Sequence, residues 1–173
     1  MPSSVTLIQT LTASGSNNVF DFTSIPNTYT DLMIISSTRT NNAGTGDGFN
    51  IAVNNSYSNL REAYYFNNNN NGAMNAGGGI GTEASISVNG DGNAAGTYAL
   101  VYMYIPNYAN TSYQKTWFSD NMQSVYASGT NTAYHFGKAN SWNQTAAINR
   151  LTFTSTGTLT NQSKISIYGI TGI

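Results

Sequence analysis

The chain has 173 residues, 39% of them hydrophobic and 12% aromatic, enough to bury one core without disulfide or metal staples. Only 8% are charged and the net charge is −1, so there is no basic stripe to neutralise a phosphate backbone and no nucleic-acid partner is expected. Cysteine is absent, which excludes disulfides and thiolate metal sites.

From the start, Met1-Pro2-Ser3-Ser4-Val5 has no basic segment followed by an apolar run, so no signal peptide is expected. No stretch approaches the ~20 apolar residues that span a bilayer, and no membrane partner is expected. Alternating β-formers then recur between Gly- and Asn-rich turns. They predict strands over Val5 to Leu11, Val19 to Ser24, and Asp31 to Thr38, where Leu32 and Ile34 face inward and Asp31 outward. Phe49 to Val53, Leu60 to Phe66 and Ala84 to Val88 follow. The most apolar strand is Tyr98 to Ile105, with Tyr98, Leu100, Tyr102 and Tyr104 on one face and Ala99, Val101, Met103 and Ile105 on the other. With both faces apolar, it is expected to be central or covered by another subunit. Thr116 to Met122, Ala133 to Gly137, Ile148 to Thr154 and Lys164 to Ile170 complete the series.

About ten short strands, with no capped 3.6-residue periodicity, predict an all-β, jelly-roll-like antiparallel sandwich in a single domain, residues 1–173. The low-complexity tracts Asn67 to Asn71 and Gly77 to Gly79 are expected to form one long loop, about 67–79.

Candidate chemistry is sparse. The lone histidine, His135, has no Gly-x-Ser-x-Gly elbow to serve, so it reads as a strand residue in a polar or interface setting and not as a catalyst. Asn89-Gly90-Asp91-Gly92-Asn93 has the alternating oxygens that begin a calcium loop, but Leu100 stands where the bidentate Glu belongs. It reads as a tight turn, as does Thr45-Gly46-Asp47-Gly48. Gly77 to Gly81 lacks the Lys-Ser/Thr of a phosphate loop. The seven acids lie on separate segments and suggest no carboxylate pair. Trp117 and Trp142, with twelve tyrosines, fit sugar stacking in principle but read first as core or subunit interface. The sequons at Asn54, Asn110, Asn143 and Asn161 are expected by chance where one residue in seven is Asn. No catalytic, cofactor-binding or metal residue is therefore assigned, and no cofactor is expected.

Three motifs in order carry a resemblance. Phe22-Thr23-Ser24-Ile25-Pro26-Asn27-Thr28-Tyr29-Thr30-Asp31-Leu32-Met33-Ile34, followed by Ser37-Thr38-Arg39, resembles an opening signature of tailed-bacteriophage virion proteins, especially those of aquatic and cyanobacterial phages. Ile105-Pro106-Asn107-Tyr108-Ala109-Asn110-Thr111 with Lys115 resembles the middle motif of that family. Ala147-Ile148-Asn149-Arg150-Leu151 and Ser166-Ile167-Tyr168-Gly169-Ile170 resemble its closing strands. The resemblance implies a non-enzymatic structural protein on the outer surface of the virion, a capsid decoration (cement) protein and often a homotrimer, whose partner is the major capsid protein. It implies no catalytic residue. The alternative is a tail-fibre or adhesin module that binds host surface glycans through exposed Trp or Tyr and the Asn-rich loops. Physically, the motifs read as folding instructions: Ile25-Pro26 sets a turn, Pro106 stops a strand, and Gly169 lets a backbone pass closely.

Overall fold

The computed structural model describes residues 4–68, 74–77, 84–127 and 130–172. These form twelve strands and no helix: β1 (Ser4–Thr12), β2 (Val19–Phe22), β3 (Asp31–Thr38), β4 (Gly46–Val53), β5 (Leu60–Asn68), β6 (Met74–Gly77), β7 (Ala84–Asn89), β8 (Ala99–Ile105), β9 (Lys115–Ala127), β10 (Thr130–Trp142), β11 (Leu151–Ser155) and β12 (Lys164–Thr171). They build two antiparallel sheets. The large sheet has the order β1-β12-β3-β8-β9-β10-β5-β6 and the small sheet β2-β11-β4-β7. From β1 to β4 the chain changes sheet at every step, and it does so again from β7 to β8 and from β11 to β12. The β5-β6 and β9-β10 hairpins are inserted into this alternation and lengthen the large sheet alone.

Alternation places one apolar face of each sheet against the other. Leu32 and Ile34 of β3, Val101 and Met103 of β8, and Ile165 and Ile167 of β12 meet Phe49 and Ile51 of β4 and Leu151 and Phe153 of β11, all buried. Phe49 and Phe153 pack edge to face at 6.1 Å, and Phe22 and Phe153 at 6.2 Å. Each such side chain contributes roughly 1.5–3 kcal/mol on burial, and this shared core makes the two sheets one sandwich. Strand β8 sits inside the sheet between β3 and β9, as its doubly apolar sequence predicts.

Three expectations need correction. Asp31 does not face water: it is 3% exposed, because its carboxylate accepts the Tyr104 hydroxyl at 2.6 Å and the Asn107 N–H at 2.7 Å. The stretch expected as one loop over 67–79 is partly strand, since Asn67 and Asn68 extend β5 and Met74–Gly77 form β6 against it; residues 69–73 and 78–79 lie outside the described residues. Gly169 makes room for a side chain and not a backbone, since a methyl there would overlap the Tyr29 ring.

The loop residues of the three motifs gather at one end of the sandwich, whereas Arg39 lies past the opposite end of β3. The Tyr108 hydroxyl donates to the Pro26 carbonyl, Ile25 N–H bonds Asn149 O at 2.8 Å, and Ile148 N–H bonds Tyr108 O at 2.9 Å. Lys115 is buried there, donating Nζ hydrogens to the carbonyls of Asn110, Tyr113 and Thr145 at 2.5, 3.0 and 3.0 Å. Burial pushes its ammonium below the usual lysine range. Two loops, β8-β9 and β10-β11, thus converge on one charge.

Candidate functional site: the outer face of the large sheet

Among the described residues, the outer face of the large sheet has no second layer. The strand register sets three lateral rows on it. Lys164, Ser37, Leu100, Met122 and His135 form one. Ser166, Ile35, Tyr102, Asp120, Gly137 and Tyr65 form the next. Tyr168, Met33, Tyr104, Phe118, Ala139 and Ala63 form the third. Leu100 is 48% exposed, Phe118 48% and Met122 52%, with Ile35 and Tyr65 also open to water. Single exposed apolar residues are ordinary; several in adjoining register rows form a patch suited to covering by another surface.

Relief on this face comes from side-chain size. The outward residues of β10 are Ala133, His135, Gly137, Ala139 and Ser141, a low track between larger neighbours. Tyr65 lies across that track over Gly137, where a methyl group would overlap its ring, and meets the His135 ring edge-on at 5.6 Å. One hollow lies to each side. One is bordered by Leu100, Met122, Asp120 and His135, the other by Phe118, Pro106, Arg61, Thr116 and Ser141.

Within this face His135 and Asp120 form the polar spot, with His135 Nε2 against Asp120 Oδ1. Its flanks are Met122, Gly137 and Tyr65, a packing environment for a partner surface. Of the reading of His135 as a strand residue in a polar or interface setting, the strand and the polar neighbour are present: it lies on β10 against Asp120.

The other sequence candidates lie elsewhere. The Asn89 to Asn93 segment is a turn wrapped around a cation supplied by the chain. Arg39 donates Nη1 hydrogens to Ala94 O at 3.0 Å and Thr97 O at 3.1 Å, and Nη2 hydrogens to Asn93 O and Asp91 Oδ1, both at 3.0 Å. Its guanidinium takes Asp91 Oδ1 and the backbone oxygens of Asn93, Ala94 and Thr97. Thr45 to Gly48 is not the turn expected: Gly46, Asp47 and Gly48 open β4, paired with Asn89, Val88 and Ser87, and the Asp47 carboxylate accepts Thr40 Oγ1, Gly48 N–H and Gly157 N–H at 2.8, 2.8 and 2.9 Å. Asp21 forms a two-pronged pair with Arg150, at 2.8 and 2.6 Å, which holds its carboxyl below the usual range. Trp117 and Trp142 point inward, 5% and 4% exposed, so neither is a sugar platform. Asn54 spends its side chain on Ala147 O and the N–H groups of Asn149 and Arg150. Of Gly77 to Gly81, Gly77 ends β6 and the rest lies outside the described residues.

Sequence reasoning found half of this surface in the outward row of β8. It missed Phe118 and Met122 as surface residues because apolar side chains in a strand read as core; only their register opposite Tyr104 and Leu100 reveals the patch. No protein-family model, curated protein or solved structure matches the chain.

Proposed function

We propose that this chain is a non-enzymatic structural protein of a bacteriophage particle, a decoration protein that docks across joints of the major capsid protein on the outer capsid surface. The observation that carries the reading is the uncovered apolar face around Leu100, Phe118 and Met122. Three further features support it. The motif resemblance points to virion proteins. Omitting the inserted hairpins, the strand order β1-β12-β3-β8 opposite β2-β11-β4-β7 fits a jelly roll, an architecture recurrent in viral capsid and lectin domains. That is a fold-level analogy and adds weight to a site-based argument without replacing it. Finally, the outward rows carry few charges, so their desolvation costs little.

The mechanism is mechanical. A patch pressed onto two neighbouring capsid subunits removes apolar area from water at about 25 cal/mol per Å2. A few kcal/mol at each joint, repeated over many identical joints, shifts the whole shell toward the intact state. Self-association of the chain belongs to the same reading; the resemblance alone points to three copies.

The test is rebinding to particles stripped of the protein. Wild type is expected to cover the head evenly by cryo-EM and to raise the temperature of genome release. The triple variant L100D/F118D/M122D should bind at least about tenfold more weakly, since charges placed in a desolvated patch cost several kcal/mol. Equal heat resistance with and without the protein overturns the reading.

A second reading, a glycan-binding adhesin module, draws on the hollow beside Phe118, where Arg61, Thr116 and Ser141 offer donors next to an aromatic face. Glycan-array binding lost in F118A, with no coverage of heads, would replace the first reading with this one.

A further inference from the structure

We infer that β1 is the surface through which two copies of this chain join, strand to strand and antiparallel, about a two-fold axis perpendicular to the large sheet. Among the described residues β1 ends that sheet and pairs with β12 alone, so one of its two rows of backbone N–H and C=O groups has no described strand beside it. It is nine residues long and contains no charge, proline or glycine. The face that carries Val5 and Leu7 lies in water, at 57% and 53% exposed, while Ile8 and Leu11 pack partly against the core. Proteins blunt such edges with lysine, proline, shortness or a covering segment. Among the described residues β1 shows none of these; its one irregularity is a register shift against β12 between Leu7 and Gln9.

The two edges of the small sheet are treated differently. β7 ends the small sheet, and side chains of the large sheet close it. Ser85 N–H donates to Glu62 at 2.7 Å, Ser87 N–H to Asn121 Oδ1 at 2.8 Å, and Gln123 Nε2 donates to Val88 O at 3.1 Å. β2, at the opposite edge, is only four residues long. The same chain therefore blunts two edges and leaves a long one bare.

A second copy is the occupant the chemistry favours. An uncharged strand is its own complement: turned antiparallel, an identical strand offers N–H where the first offers C=O, with no like charges opposed. Such a contact is isologous, so the two-fold axis closes it at two chains and no open edge of this kind remains. Antiparallel continuation of a sheet also keeps its faces: the two large sheets merge into one with both outer faces on the same side. The pairing stands on the edge chemistry alone, whether or not that face docks on a capsid.

Native mass and sedimentation of the whole chain at tens of micromolar test the inference. A two-chain mass is expected. Leu7→Lys, or Val5→Lys should the first fold poorly, should weaken the pair by roughly tenfold or more by setting like charges on a strand edge, with the circular dichroism of the folded chain unchanged. Since the protein has no cysteine, single cysteines placed in turn at Val5, Thr6, Leu7, Ile8 and Gln9 report only contacts between chains. Mild oxidation should couple one of them fastest, with rates falling to either side, and well above the rate for Tyr113→Cys on another exposed segment. A one-chain or three-chain mass for wild type overturns the inference. So does a pair that both lysine variants leave intact, or β1 cysteines that couple no faster than Tyr113→Cys.

Discussion

Tyr104 donates its hydroxyl to Asp31 across adjacent strands at 2.6 Å, and the Asn107 N–H fills the other carboxylate oxygen at 2.7 Å. Burial, and then the carboxylate beside it, push the Tyr104 phenol up to about 12. A phenol whose folded value lies above the unfolded value of 10 favours the fold fully below pH 10. That contribution is lost as pH rises from there through about 12. Tyr104→Phe should cost about 0.5–1.5 kcal/mol in urea unfolding at pH 8, the net worth of one hydrogen bond. The difference between wild type and variant should shrink across the alkaline window. A constant difference would show that the two groups do not share a proton economy.

Arg39 reaches four backbone carbonyls and one carboxylate with its two terminal nitrogens. Arg39→Met leaves these acceptors facing an apolar chain and should cost ~3 kcal/mol or more by chemical denaturation. Arg39→Lys should recover only part of that loss, because an ammonium lacks the planar fork. Calcium or a chelator should leave the melting temperature of wild type unchanged. A calcium-dependent rise of several degrees would show that the loop takes a metal in addition to the guanidinium.

Two glycines separate hard from soft packing. At Gly90 a methyl would overlap the Gly44 carbonyl oxygen, a backbone atom held by its own loop; at Gly137 it would meet the Tyr65 ring, which is 41% exposed and can swing outward. Gly90→Ala should therefore cost about 1–3 kcal/mol, the usual range for overpacking. Gly137→Ala should cost less than about 1 kcal/mol, and less still in a Tyr65→Ala background. Thermal melts of the four variants measure this directly.

The strands that line the core were legible because their pattern is simple. Asp31 to Thr38 was read with its true limits, and β4, β7, β8 and β12 were found within a few residues, since apolar and polar side chains alternate there as a half-buried sheet demands. Strands β9 and β10 were read too short. Beyond Met122 and Gly137, where the expected strands stop, the inward Gln123 of β9 and Lys138 and Asn140 of β10 are polar, Gln123 and Lys138 bonding to β7, so the alternation that marks a strand fades there. Asp31 was placed outside because a charge at a strand start normally faces water; its donors, Tyr104 and Asn107, lie more than seventy positions away. The same distance hid the role of Arg39, whose loop of acceptors starts fifty-two residues later. The candidate surface was half visible in β8, and the rest required the register between β8, β9 and β10.

The closure of β7 by side chains has a cost in robustness. Glu62, Asn121 and Gln123 hold its backbone groups without forming a strand, so that barrier is only as strong as three amides and carboxylates. A mutation such as Asn121→Val would keep the strand propensity of β9 while releasing Ser87, giving growing sheets from other molecules a place to begin. Solubility on storage, more than folding itself, is the property such a change would erode.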